Sequence, residues 1–93
     1  MGFTPDFLDE IRSRLTVGEI VGRKVRLVRK GREHTGLCPF HNEKTPSFTV
    51  NDDKAFYHCF GCGAHGDVIN FVLETEGLSF PETVERLSSQ AGL

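Results

Sequence analysis

The sequence predicts a small α+β domain, a short antiparallel sheet flanked by helices. Apolar residues recur at helical spacing near both ends of the chain, each stretch preceded by capping residues. The middle instead breaks into short β-branched and aromatic runs separated by Gly, Asn and Asp. With 93 residues there is room for one core and hence for a single domain, 1–93. A 38% hydrophobic and 26% charged composition is ordinary globular usage and argues against wholesale disorder.

Taken in order, Thr4-Pro5 supplies an N-cap and a first helical position, and Phe7, Leu8, Ile11 and Leu15 then fall on one face. Thr16-Val17-Gly18-Glu19 is a capping box for a short second helix with Ile20 and Val21 apolar and Gly22 as its stop. Val25 to Arg29 reads as a basic strand, Val25 and Leu27 inward and Arg26 outward. Gly31 turns the chain, and Glu33 to Leu37 returns. Ser47 to Val50 and Lys54 to Cys59 are further strands, joined by Asn51-Asp52-Asp53. The middle therefore holds three to five short strands. Asp67 caps a helix carrying Val68, Ile69, Phe71, Val72 and Leu73 and ending at Gly77. Ser79-Phe80-Pro81-Glu82 boxes the start of another, with Phe80, Val84, Leu87 and Ala91 in one stripe. Both stripes read as core packing against the sheet.

No apolar run approaches the ~20 residues of a membrane span. Met1-Gly2-Phe3-Thr4-Pro5-Asp6 also lacks the basic and apolar regions of a secretory leader, so a cytoplasmic location is expected. A core this thin commonly needs a staple. Three cysteines cannot all pair with one another, but three cysteines and one histidine fill a tetrahedral zinc site, and a reducing cytosol keeps the thiols available.

Cys38-Pro39-Phe40-His41 and Cys59-Phe60-Gly61-Cys62 form C-x2-H and C-x2-C pairs separated by seventeen residues. Two residues between ligands let each pair curl into a knuckle, and seventeen suit a hairpin that brings the knuckles together. The expected ligands to Zn2+ are thus Cys38, His41, Cys59 and Cys62. His65 follows Cys62 at knuckle spacing and is the substitute for His41. His58 neighbours Cys59 and should point to the opposite face, and His34 should be a surface group. His41-Asn42-Glu43 followed by Cys59-x2-Cys62 superficially matches zinc deaminases, with Glu43 shuttling protons. Cys38 counts against that reading, because it would close the metal position that water must take. His58 also replaces the signature proline, and the chain is short for an enclosing pocket. Neither a phosphate-cradling Gly loop nor an acidic cluster for two metal ions is present, so no catalytic residue is expected.

The net charge of −2 hides an uneven distribution. Residues 23–34 carry six bases and one acid, whereas residues 67–93 carry five acids and one base. Five of the nine aromatics, Phe40, Phe48, Phe56, Tyr57 and Phe60, lie between residues 40 and 60, interleaved with Lys44, Lys54 and His58. Aromatic faces stack on unpaired bases while lysine and arginine track phosphates. Alternation puts Lys54, Phe56 and His58 on one face of a strand and Ala55, Tyr57 and Cys59 on the other. Arg26, Arg29, Lys30 and Arg32 extend that face if the two strands are neighbours. The competing expectation is that these phenylalanines pack around the metal site. Phe48 and Phe60 are expected in the core, and Phe56 stays open between core and surface.

Cys38-Pro-Phe-His-Asn-Glu-Lys-Thr-Pro-Ser-Phe48, followed by Tyr57-His-Cys-Phe-Gly-Cys-Gly63, closely resembles the N-terminal zinc-binding domain of bacterial DnaG-type primases. The likeness extends over nearly the whole chain, and Ala91-Gly92-Leu93 falls near where such primases enter a linker, so the chain is expected to be an N-terminal fragment. The resemblance implies a zinc-ribbon fold that engages single-stranded template DNA and helps select where RNA primers start. By matching position it puts the metal ligands on the same four residues that spacing selects. It implies a nucleotidyltransferase of the primosome whose RNA polymerase domain, in the same or another molecule, carries the catalysis. The replicative helicase is met mainly through a separate C-terminal domain. Lys30, Arg32, Lys44, Lys54, Phe56 and His58 are the candidate DNA-facing residues. The alternative is a structural-zinc interaction module that docks on the polymerase domain or helicase.

Overall fold

In a computed structural model, which describes residues 3–42 and 44–93, each helix starts where a side-chain oxygen meets an orphan backbone amide. Met1, Gly2 and Glu43 lie outside the described residues, and with them the start of the leader comparison and the acid of the deaminase reading. Helix α1 (Pro5–Arg14) is capped by Thr4, whose hydroxyl accepts from the Phe7 amide at 3.2 Å. Helix α2 (Val17–Val21) is capped by Thr16 through the Glu19 amide at 3.1 Å. Helices α3 (Val68–Glu76) and α4 (Phe80–Gln90) begin with reciprocal capping boxes, Asp67 with Asn70 and Ser79 with Glu82. Gly77 ends α3 in the left-handed conformation, as its position suggests, whereas Gly22 ends α2 with φ −60° and needs no glycine freedom.

Between the helical ends, β1 (Val28–Lys30), β2 (Glu33–Gly36), β3 (Phe48–Asn51), β4 (Phe56–Cys59) and β5 (His65–Gly66) pair antiparallel in sequence order. Lys30 stands opposite Glu33 across a two-residue turn, and Gly31 there takes φ 65°, which a hairpin with glycine first requires. The basic strand begins later than its alternation suggests. Val25 is buried and Leu27 half-buried as expected, but the chain at Arg26 crosses close over Gly36 before pairing starts. A Cβ on Gly36 would lie 2.7 Å from the Arg26 carbonyl oxygen. Lys54 is likewise outside β4. The Asn51 side chain accepts from the Lys54 amide at 3.0 Å, Ala55 takes φ 58°, and residues 52–55 become the turn.

The sheet buries one face. Phe48, Val50, Tyr57 and Cys59 point toward the helices, and Phe48 and Tyr57 stack at 5.3 Å with Phe71 of α3 edge-on to Tyr57 at 5.6 Å. Val84 and Leu87 of α4 are fully buried, but Phe80, placed in the same stripe by its spacing, stays exposed beside Phe3. Two polar ties fix the layers. Arg12 of α1 bonds Asp67, the cap of α3, at 2.8 Å, and Asp52 in the β3–β4 turn accepts from the Gly18 amide of α2 at 2.7 Å. None of the described helices is long and apolar enough to cross a membrane. Asp52→Ala should cost about 1 kcal/mol in denaturant unfolding of the zinc-loaded protein, the value of one lost acceptor at a helix start.

Candidate metal centre and open face

Strand register brings the two knuckles together. Gly36 pairs with Phe48 and Phe48 pairs with Cys59, so the ends of β2 and β4 share one end of the sheet. The first knuckle leaves β2 and the second leaves β4. The second closes on itself, with the Cys59 amide bonded to Ala64 O at 2.8 Å and the Gly63 amide to Cys59 O at 2.8 Å. One ligand atom from each of Cys38, His41, Cys59 and Cys62 then lies within 4.8 Å of the others. The sulfurs of Cys38 and Cys62 are 3.8 Å apart. That is the edge of a tetrahedron whose centre is about 2.3 Å from each sulfur, the Zn–S distance. The donor set and its spacing fit a closed, four-coordinate zinc.

Gly61 sits within this quartet for a steric reason. A Cβ there would lie 2.8 Å from Ser47 Oγ and 3.1 Å from His41 Nε2, so only the bare backbone lets the imidazole approach. The thiols are electrostatically unequal. Burial, above all, pushes the Cys38 thiol up to about 12; the Phe40 amide offsets part of that, and the neighbouring Cys59 and Cys62 thiols add to it. Burial also works to raise Cys59, but the Cys62 amide, the Ser47 hydroxyl and the Gly61 amide outweigh it, and its net shift is downward. A divalent cation compensates the charge of buried thiolates that would otherwise repel one another.

The remaining histidines lie outside the quartet. His65 is on β5 opposite His58, its Nδ1 3.0 Å from Gly63 O, and His41 occupies the place it would have taken. His34, expected on the surface, is half-buried because β2 turns it to the same side as Val50, toward the helices. Cys38 in the quartet supplies the fourth donor, so the geometry lacks the open metal position of the deaminase reading.

The other sheet face is uncovered. Thr49, His58 and His65 form one cross-strand row on it. Phe56 lies two residues from His58 on the same face and is exposed, which settles its open placement. Phe60 is 74% exposed, contrary to the core position expected of it. Its amide bonds Ser47 O at 2.9 Å, but at residue 60 the chain has left β4, and the ring turns outward edge-on to His58 at 4.6 Å. His58 and His65 rings stack at 6.1 Å. Phe60 and His65 are thus aromatic members of the face that alternation did not select; His65 needed β5, which is too short to show a period.

The basic candidates surround this face rather than line it. Lys30 shares the face at the far edge, since β2 and β3 separate β1 from β4 and the two strands are not neighbours. Arg29 points to the other side, its Nε donating to Gly31 O at 3.1 Å. Arg32 lies in the β1–β2 turn, Lys54 in the β3–β4 turn and Lys44 in the loop after the first knuckle, all exposed.

Three comparisons place this geometry among known proteins. Residues 3–93 match the model of the CHC2 zinc finger, the zinc ribbon of DnaG. The DNA primase of Pasteurella multocida is 48% identical over 87 residues, covering 94% of this chain and 15% of that protein. The DNA primase of Rickettsia felis is 47% identical over 93 residues, covering 100% of this chain and 16% of that one. The crystal structure of the Aquifex aeolicus primase, comprising its zinc-binding and RNA polymerase domains, superposes with a TM-score of 0.86 at 34% identity, over 97% of this chain and 22% of that one. The chain therefore spans about 15% of the length of the curated relatives it matches. Together with the Cys/His quartet, the family match makes the bound ion Zn2+. In a zinc-content assay against a competing chelator, Cys38→Ser and His41→Ala should lose metal while His65→Ala keeps it. Gly61→Ala should weaken retention by about tenfold, as changes that misplace a ligand do.

Proposed function

Because the chain belongs to the CHC2 zinc-finger family of DnaG-type DNA primases, we propose that it is the N-terminal zinc-binding domain of a longer primase and that its open sheet face holds single-stranded template DNA, helping to select where RNA primers start. Cys38, His41, Cys59 and Cys62 hold the zinc, which when bound cross-links the knuckles and does no chemistry of its own. The observation that carries the reading is the aromatic set on the face that the described helices leave open, exposed Phe56, Phe60 and His65 around a half-buried His58. Unpaired bases stack on such rings without regard to sequence, and Lys30, Arg32, Lys44 and Lys54 around the rim attract the phosphates. Nucleotidyl transfer belongs to the polymerase domain, in the same or another molecule. Helicase contact belongs to a further C-terminal domain, and the setting is the cytoplasm. A second reading, docking of the same face on the polymerase domain, is favoured by the Aquifex structure, which joins both domains in one chain.

The test is anisotropy of a labelled single-stranded DNA pool against zinc-loaded and metal-stripped protein at two salt concentrations. Zinc-dependent binding that weakens with salt is expected, with Phe56→Ala and Phe60→Ala each costing about 1–3 kcal/mol. Lys54→Ala should flatten the logarithmic salt dependence by about 0.7. Binding to the isolated polymerase domain without any preference for single-stranded DNA would select the docking reading instead.

A further inference from the structure

At the β5 edge of the sheet, beside the second knuckle, a cavity of about 340 Å³ opens between Phe40, Tyr57, Ala64, His65, Asn70 and Glu74. Its size is that of a side-chain or small-ligand cleft. Tyr57 is the buried polar group in its wall. The residue is only 2% exposed, and its hydroxyl has no hydrogen-bond partner among the described residues. The oxygen is not one of the side-chain polar atoms shut off from solvent, so it opens on the cavity and can bond what enters there. A phenol carries its proton at neutral pH and can both donate and accept.

Glu74 supplies the second signal. Of the three acids on α3 and at its cap, Asp67 is paired with Arg12 and Glu76 with Arg86. Glu74 faces the cavity and has no ion-pair partner among the described residues. Asn70 is already engaged, its Oδ1 accepting from the Asp67 amide at 3.1 Å. Beside this carboxylate, Phe40 and Tyr57 form an aromatic wall, their rings 5.9 Å apart and tilted by 38°.

We propose that the cavity receives a guanidinium group, the arginine side chain of a partner polypeptide. A planar cation stacks on the aromatic wall, its fork meets the Glu74 carboxylate with two N–H donors, and a further N–H reaches the Tyr57 oxygen. A lysine ammonium is compact and strongly hydrated and would leave the wall unused. A guanine edge offers similar donors, but its phosphates would face the five acids and single base of residues 67–93. The cavity shares only His65 with the open face, so the assignment stands independently of template binding.

Tyr57 is the only tyrosine in a chain without tryptophan, so its fluorescence reports on this cavity alone. The zinc-loaded chain would be titrated with N-acetyl-arginine amide, its neutral citrulline counterpart, N-acetyl-lysine amide and guanosine monophosphate, following Tyr57 fluorescence and the amide resonances of Asn70 and Glu74. Saturable changes with the arginine probe are expected, with the citrulline and lysine probes weaker by about tenfold or more. Glu74→Gln should weaken the arginine response to the same extent while zinc content stays full. An absent arginine response, an equal response to citrulline or lysine, or a response that survives Glu74→Gln would overturn the assignment. Tighter saturation by guanosine monophosphate would overturn it in favour of a nucleobase site.

Discussion

The meeting of two knuckles at one end of the sheet is the constraint on which the rest depends. The five strands are two to four residues long, too short to be stable by pairing alone. What aligns them is that Cys38 and His41 leave β2 where Cys59 and Cys62 leave β4, with β3 running between. The unequal thiols show why a cation belongs there. Burial raises the Cys38 thiol, while at Cys59 burial is outweighed by amide donors and Ser47 and the shift is downward. Cys38 and Cys59 would hold a divalent ion as thiolates, and the ion when bound would anchor this end of a thin core.

With that end pinned, burial has only one side on which to proceed. Phe48, Val50, Tyr57 and Cys59 meet α3 and its neighbours, and the short ties from Arg12 to Asp67 and from Asp52 to Gly18 hold the helices to that side. None of the described helices covers the opposite face. Phe56 and Phe60 are exposed because the single layer of helices is already spent, and the register then sets His58 beside both of them and opposite His65. An aromatic surface of this kind follows from topology as much as from composition.

The same contrast explains which features were legible in the sequence. The metal quartet was, because C-x2-H and C-x2-C encode a local turn that needs no knowledge of the rest of the chain. The caps at Thr4, Thr16, Asp67 and Ser79 were legible for the same reason. What alternation misjudged depended on contacts that a strand period does not carry, two of them distant and one, at Lys54, local. Residues 25–27 cross over Gly36 instead of pairing, Lys54 is drawn into a turn by Asn51, and β5 exists only because β4 is there to receive it. Phe60 shows a different limit. Its apolar side chain suggested burial, but a knuckle must turn away from the strand, and the turn carries the ring to the surface.

Charge follows the same two-sided plan. The bases of residues 23–34 end in the β1–β2 hairpin, while the acids of residues 67–93 lie on α3 and α4 and their caps. A net charge of −2 therefore describes neither side. For the proposed template binding, the bases at the rim of the open face would attract phosphate and the acids of α3 and α4 would repel it, which favours one orientation of the strand. The cavity on the helical side, where Glu74 has no ion-pair partner among the described residues, would have the opposite preference under the proposal made for it. On the two proposals made above, a polyanion on the open face and a basic side chain in the cavity would lie on different sides of one sheet and meet only at His65.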